Sequence, residues 1–129
     1  MEIPADRRYT RDHEWAKLEL DGTVVIGITQ FAQDQLGDVV YLELPEEGQD
    51  FEAEEAFGVV ESVKSVSDLV APLSGTVLRV NEALIDAPET VNQEPYDAGS
   101  LIVLEPSDAD DLDPLYSASD YEEFLGSLG

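Results

Sequence analysis

The sequence predicts a mainly β protein, a sandwich of two antiparallel sheets with a few short helices, one of them at the C-terminus. Apolar and polar residues alternate with a period of two in most segments, which is the pattern of half-buried strands. Turn signals separate these segments, among them Asp21-Gly22 and Ser74-Gly75. Residues 37–42 (GDVVYL) also resemble residues 75–80 (GTVLRV), and this faint duplication indicates two similar sheets related by approximate two-fold symmetry.

The individual elements follow from the same patterns. The predicted strands comprise residues 14–20, 23–28, 38–44, 56–63, 66–73, 76–80 and 100–105, with Pro72 at a bulge or an edge. A short helix over residues 30–36 is predicted to begin after Thr29 as N-cap and to end at Gly37. Residues 81–91 are predicted to be irregular or partly helical. Ser119 is predicted to cap a terminal helix over residues 119–128, whose apolar face comprises Tyr121, Phe124, Leu125 and Leu128.

Length and hydrophobic content indicate one domain. The chain has 129 residues, of which 43% are hydrophobic, so it can bury a single core. We expect this domain to extend over residues 1–129, with its core in residues 9–106. No apolar run approaches the roughly 18 residues that a membrane span needs. Residues 1–6 lack the basic and apolar regions of a signal peptide, so we expect a cytoplasmic protein.

The charge of the chain is strongly negative. Thirty Asp and Glu residues oppose six Lys and Arg residues, which gives a formal net charge of −24. Such a surface repels nucleic acid and anionic lipid, so we expect neither as a partner. At molar ionic strength the Debye length falls to about 3 Å, which screens the mutual repulsion of the carboxylates. The composition therefore predicts a salt-rich cytoplasm, as in a halophilic archaeon.

The chain has no cysteine and a single histidine, His13. These counts exclude disulfides, thiolate nucleophiles, iron–sulfur clusters and Cys-type zinc sites, as well as a His-rich metal site or a catalytic triad. We therefore expect no metal and no enzymatic activity of its own, so that any chemistry depends on an attached group or a partner.

Lys64 lies between two predicted strands that can pair as a hairpin. At the turn of such a hairpin we expect its side chain to project fully into solvent, where it can be modified by one enzyme and presented to others. The sequence contains only two lysines, Lys17 and Lys64. Small uncharged residues flank Lys64, with Val63 before it and Ser65 after it.

The segment around this lysine closely resembles the lipoylation segment of glycine cleavage H proteins. That segment is GVVESVKSVSD, residues 58–68. The resemblance continues in the same order through residues 9–15, 27–40, 43–45, 72–75, 80–84 and 92–96. It covers roughly residues 9–125, nearly the whole chain.

The resemblance implies a lipoyl/biotinyl-type barrel-sandwich hybrid that carries lipoic acid in amide linkage on Lys64. A lipoylating enzyme attaches the group in such proteins. A pyridoxal-phosphate glycine decarboxylase then loads it with an aminomethyl group, and a tetrahydrofolate-dependent aminomethyltransferase takes up the carbon. Dihydrolipoamide dehydrogenase reoxidises the dithiol. The H protein itself is a non-catalytic carrier.

The resemblance also assigns roles to other side chains. In the family the loaded arm folds into a surface cleft, where Glu14 matches an acidic residue that meets the cationic amine and Asp12 lies beside it. The positions that match sites of recognition by the lipoylating enzyme are Glu61, Asp68, Gly48 and Gly75. For the two glycines, a turn that needs unusual backbone angles is an equally good explanation.

Other carriers fit the sequence less well. The lysine of a biotinyl carrier is normally flanked by methionines, which Val63 and Ser65 replace here. An acyl carrier protein needs a serine at a helix start in a helical bundle, and lipoyl domains of 2-oxoacid dehydrogenases lack the strand at residues 13–15 and the terminal helix. A role as lipoyl donor or acceptor in lipoate relay stays open.

Overall fold

A computed structural model describes residues 1–128, so Gly129, which the predicted domain includes, lies outside the described residues. The strands within this range are β1 (Arg8–Tyr9), β2 (Glu14–Leu18), β3 (Val24–Ile28), β4 (Val39–Glu43), β5 (Asp50–Phe51), β6 (Ala56–Ser62), β7 (Val66–Val70), β8 (Gly75–Val80) and β9 (Ile102–Pro106). The helices are α1 (Gln30–Leu36), α2 (Ala83–Asp86), α3 (Thr90–Gln93) and α4 (Ala118–Leu128), with a 3-10 turn at Ala109–Leu112. None of the helices in residues 1–128 has the length and apolar character needed to cross a membrane.

The strands form two antiparallel sheets. The larger sheet has six strands in the order β1-β2-β3-β9-β8-β5, and the smaller has three in the order β4-β6-β7. The two segments that resemble each other in sequence contribute β4 to one sheet and β8 to the other. The predicted fold class, mainly β with two antiparallel sheets and short helices, is therefore confirmed.

The main core joins the two sheets. Apolar residues from the larger sheet, such as Ile26 and Leu104, belong to the same buried cluster as Leu42, Val60 and Leu69 from the smaller sheet. A second cluster contains the aromatic residues Tyr9, Trp15 and Tyr121, and it attaches α4 to β1 and β2. The rings of Tyr9 and Tyr121 are stacked with their centroids 4.7 Å apart.

Helix α1 has the bounds and the ends that the sequence predicts. The Thr29 hydroxyl accepts a hydrogen bond from the Ala32 N–H at 3.2 Å, which satisfies one of the free donors in the first turn. Gly37 ends the helix with a φ of 78°, a left-handed angle that glycine adopts without a steric penalty. Its N–H donates to the Gln33 carbonyl at 3.0 Å.

The prediction that Ser119 caps the terminal helix is wrong, because Ser117 does so. The Ser117 hydroxyl accepts from the Asp120 N–H at 3.1 Å, and its carbonyl accepts from the Tyr121 N–H at 2.9 Å. The physical reason is a backbone bridge between Tyr9 and Tyr116, which holds the chain extended up to residue 116. The helix therefore begins directly after Ser117.

Two other predicted strands are longer than the observed ones, because backbone hydrogen bonds to other segments end them early. β7 ends at Val70, since Ala71 already pairs with the loop at residues 54–55, and Pro72 therefore follows the strand. β2 ends at Leu18, because Glu19 donates to the Thr23 carbonyl and begins the turn. The two-residue strands β1 and β5 were not predicted, since both are too short to show a period.

Candidate functional site

The hairpin of β6 and β7 presents Lys64 at its tip. The two strands pair in an antiparallel register up to Glu61 and Val66, which leaves residues 62–65 as the turn. The Ser62 N–H donates to the Ser65 carbonyl at 2.8 Å. The Ser62 hydroxyl accepts hydrogen bonds from the N–H groups of Lys64 and Ser65, both at 3.1 Å. One serine therefore fixes the backbone of the tip, and we call β6, the turn and β7 together the Lys64 hairpin.

The side chain of Lys64 is exposed, yet its stem does not leave the surface freely. A Cβ atom added to Gly37 would lie 3.3 Å from Lys64 Cε and 3.5 Å from Cδ, so the methylene groups run along the backbone at the end of α1. The expectation of a fully projecting side chain therefore needs correction: the residue is exposed, and its stem is supported from one side.

Lys17 has different surroundings from Lys64. It lies within β2, and its amine is 3.6 Å from an Asp6 carboxylate oxygen and 4.0 Å from one of Glu19. Within residues 1–128, Lys64 takes part in no such ion pair. Its neighbours Val63 and Val66 are 67% and 65% exposed, so the tip is apolar around a free amine.

Glu14 and Asp12 line the same cleft. The cavity has a volume of about 430 Å³, and Tyr9, Arg11 and Tyr116 also contribute to its wall. Glu14 begins β2, whereas Asp12 lies in the turn before it.

Glu14 is a buried carboxyl group and not a solvated strand-edge residue. Its exposure is 2%, and its Oε2 atom accepts a hydrogen bond of 2.7 Å from the N–H of Val70, the last residue of β7. Its Oε1 atom is buried without a hydrogen-bond partner in the described part of the chain. Burial raises the pKa of Glu14 well above its usual value, Asp12 adds to this effect, and the hydrogen bond from Val70 opposes it. The same carboxyl group thus connects the cleft to the Lys64 hairpin.

Glu61 and Asp68 lie on the Lys64 hairpin itself. Glu61 is paired with Val66, and Asp68 is paired with Val59, two positions away along each strand. Because side chains alternate between the faces of a sheet, Glu61 and Asp68 lie on the same face. Asp68 is exposed and Glu61 is half-buried.

Gly48 lies in the turn before β5 and Gly75 lies in the larger sheet, and each has a structural reason to be glycine. Gly48 has a φ of 88°, and its N–H donates to the Val77 carbonyl at 2.8 Å. Gly75 begins β8, where a Cβ atom would overlap the carbonyl oxygen of Glu105 on β9. Both glycines are thus explained by backbone conformation and packing, whereas the two acidic residues share the hairpin with Lys64.

His13 lies in the turn before β2 with a φ of 65°, and not on the strand as expected. Its Nδ1 atom is 2.9 Å from the Tyr121 hydroxyl, and its ring packs against Phe31 with centroids 4.5 Å apart. Burial lowers its pKa, and Asp12 opposes this shift. Within residues 1–128 no group of three His, Cys, Asp or Glu residues is placed to hold a metal ion.

Two residues that support the site, Ser62 and Asn92, were not predicted. The Ser62 hydroxyl fixes the turn. Serine hydroxyls often bond to the backbone two residues further along the chain, so this role could have been predicted from the sequence. Asn92, in α3, bonds to the end of α1 next to Lys64. No local sequence pattern predicts that role, because the partners of Asn92 are more than fifty residues away.

Comparisons with known proteins agree with this geometry. The family model of the glycine cleavage H-protein matches residues 7–127. A glycine cleavage system H protein of Anaeromyxobacter sp. (strain K) is 56% identical over 125 residues, which are 97% of each chain. That of Bacillus subtilis is 54% identical over 123 residues, 95% of this chain and 96% of the relative. The crystal structure of the H protein from Mycobacterium marinum superposes with a TM-score of 0.89 at 44% identity and covers 96% of this chain and 99% of that chain.

These findings confirm the lipoyl-type barrel-sandwich fold, the non-enzymatic role, lipoic acid as cofactor and the three expected partner enzymes. H proteins carry lipoic acid covalently on a lysine and work with the decarboxylase, the aminomethyltransferase and dihydrolipoamide dehydrogenase. The relatives named above are bacterial and give no support to an archaeal origin. The chain belongs to the glycine cleavage H-protein family, the lipoyl carriers of the glycine cleavage system.

Proposed function

We propose that Lys64 is the residue that carries the lipoyl group and through it the aminomethyl group of glycine. The observation that carries this proposal is the position of Lys64 at a hairpin tip, exposed and without an ion pair among the described residues. Lys17, the other lysine, is held in β2 by Asp6 and Glu19. When attached, the lipoyl disulfide supplies the sulfur redox chemistry that a chain without cysteine lacks.

Lipoylation in vitro tests this assignment. We expect a lipoate–protein ligase to add one lipoyl group to the wild type and to the matched control Lys17→Arg, and none to Lys64→Arg, as read from intact mass. Arg keeps the positive charge in both variants, so the comparison isolates the acylated amine. A lipoyl group that persists in Lys64→Arg and is lost in Lys17→Arg would contradict the proposal.

We further propose that the cleft receives the cationic amine of the loaded arm, with Glu14 as its principal partner and Asp12 beside it. The unpartnered Oε1 atom of Glu14 fits this role, because a buried carboxylate oxygen without a donor is stabilised by an ammonium group. An arm that fills the cleft also displaces the water that would hydrolyse the adduct.

The lifetime of the loaded protein tests the cleft. Glu14→Gln keeps an oxygen for the Val70 N–H and removes the negative charge. We expect it to release formaldehyde and ammonia faster than the wild type in the absence of partner enzymes. Asp12→Asn is expected to show a smaller effect in the same direction. Equal lifetimes for wild type and Glu14→Gln would contradict the assignment.

For the lipoylating enzyme, we propose that Glu61 and Asp68 are contacts on the hairpin and that Gly48 and Gly75 preserve the shape of the domain around it. Glu61→Gln and Asp68→Asn are expected to raise the KM of the ligase for this chain while the unfolding temperature is unchanged. Gly75→Ala, in contrast, is expected to lower the unfolding temperature, because its Cβ overlaps the neighbouring strand. Unchanged KM in both acidic variants would argue against the contacts.

We also propose that the chain is a single domain that works in a salt-rich cytoplasm, as in a halophilic organism. The ion pairs among residues 1–128 involve only Asp6 and Glu19 as acids, so nearly all of the thirty acidic side chains lack a cationic partner. Concentrated salt screens their repulsion.

A further inference from the structure

The tip of the Lys64 hairpin is bonded to the C-terminal end of α1. The Val63 N–H donates to the Asp38 carbonyl at 3.0 Å, and Asp38 directly follows Gly37, the residue that ends the helix. The hairpin and the helix end therefore form one hydrogen-bonded unit, although they are distant in sequence.

Gly37 provides the surface on which the Lys64 stem lies. Three consecutive methylene carbons of Lys64 are close to the position that a Gly37 Cβ would occupy, with Cε at 3.3 Å, Cδ at 3.5 Å and Cγ at 3.8 Å. A side chain at position 37 would fill the space that the stem now uses. The glycine is thus required twice, for its φ of 78° and for the lysine beside it.

Asn92 holds this part of the backbone in place through three hydrogen bonds. Its Nδ2 atom donates to the Gly37 carbonyl at 2.8 Å and to Gln33 Oε1 at 3.0 Å. Its Oδ1 atom accepts from the Val39 N–H at 2.9 Å. The Asn92 bonds therefore fix the backbone of Gly37 and Asp38, the residues that contact Lys64 and Val63.

We propose that the Gly37 backbone supports the stem of Lys64 and that Asn92 fixes this backbone, so that both are positioning residues for lipoylation. The inference rests on the proposed function of Lys64. A lysine side chain is among those that lose the most rotamer entropy when they are ordered. A stem that already lies along a fixed backbone presents its amine in fewer directions, and the ligase then has less ordering to do at the moment of acyl transfer.

Nuclear Overhauser contacts test the packing of the Lys64 stem on Gly37 directly. We expect contacts between the Gly37 Hα atoms and the Lys64 δ and ε protons in the unmodified wild type. Gly37→Ala is expected to displace the stem and remove the contacts from position 37 to the ε protons. The matched control is Gly22→Ala, since Gly22 has a similar φ of 87° but nothing within 4 Å of an added Cβ. The control is expected to keep the Gly37–Lys64 contacts.

The kinetics of lipoyl transfer from lipoyl-AMP provide the functional readout. A misplacement of about 1 Å at a reacting group costs up to ~100-fold in rate, so a shifted stem in Gly37→Ala should lower kcat by about ten-fold. KM for the carrier should stay unchanged because the docking surface is intact. Gly22→Ala should stay within about two-fold of the wild type, since its added Cβ contacts nothing.

Asn92→Ala gives a second test with Gly37 intact, and it applies even if Gly37→Ala fails to fold. We expect it to weaken the same contacts and to lower kcat without a change in KM. A wild type that accepts a lipoyl group on Lys64 but lacks the contacts in its unmodified form, or a Gly37→Ala variant with the kcat of Gly22→Ala, would overturn the inference alone. A wild type that accepts no lipoyl group on Lys64 would overturn the proposed function and the inference together.

Discussion

Tyr121 connects α4 to the rest of the protein through its hydroxyl group as well as through its ring. The hydroxyl lies 2.8 Å from Thr29 Oγ1 and 2.9 Å from His13 Nδ1, and the residue is fully buried. In Tyr121→Phe the ring keeps its stacking on Tyr9, so only these two hydrogen bonds are lost. At about 0.5–1.5 kcal/mol for each bond, the expected loss is about 2 kcal/mol. Thr29 keeps its bond to the Ala32 N–H, which limits the loss on that side.

Urea unfolding at a fixed KCl concentration measures this loss. The midpoint should fall without a change in the m-value, and the thermal midpoint should fall by about 8 °C for a chain of this size. Tyr116→Phe is the matched control: its ring stacks on Phe124 in the same region, and its hydroxyl makes no hydrogen bond within residues 1–128. We expect the control to lose less than about 0.5 kcal/mol. Equal losses in the two variants would refute the importance of the Tyr121 hydroxyl.

Three further predictions concern pH and salt. Because the pKa of Glu14 is raised above its ordinary 4.5 in the folded chain, its contribution to stability is complete below that value and is lost as the pH rises through the folded pKa. The unfolding temperature of Glu14→Gln should therefore rise relative to that of the wild type as the pH increases from about 4.5 through the folded pKa of Glu14; a constant difference would argue against the buried acid. The pKa of His13 is lowered from 6.5, so its contribution is complete above that value and is lost as the pH falls through the folded pKa. The stability advantage of the wild type over His13→Asn, whose side chain tolerates the left-handed φ, should shrink from about pH 7 to pH 5; a constant advantage would contradict this. The unfolding temperature should rise from dilute buffer to molar KCl, and full stability in dilute buffer would contradict the salt-rich setting.

The fold could be predicted from sequence wherever local patterns determine it. The bounds of α1 follow from Thr29 and Gly37, and the hairpin around Lys64 follows from two alternating segments. β1 and the cap of α4 could not be predicted in this way. β1 has only two residues and shows no period, and the cap of α4 depends on the pairing of Tyr9 with Tyr116, which are far apart in the chain.

The residues of the site likewise differ in whether local sequence patterns could predict them. Lys64 could be singled out from its turn and from the scarcity of lysine, and resemblance to a family supplied Glu14. The burial of Glu14 and its bond to Val70 could not be predicted, because that contact spans 56 residues. The same holds for Asn92, which reaches Val39 across 53 residues. Side chains that support a site from another element leave no period in the sequence.

Peptide mass spectrometry on the protein purified from its own cells tests the central claim most directly. The account predicts one lipoyl addition on the peptide that contains Lys64, none on the peptide that contains Lys17, and none in Lys64→Ala. An unmodified Lys64 from cells well supplied with lipoate would contradict the account, and the chain would then not act as a lipoyl carrier through this residue.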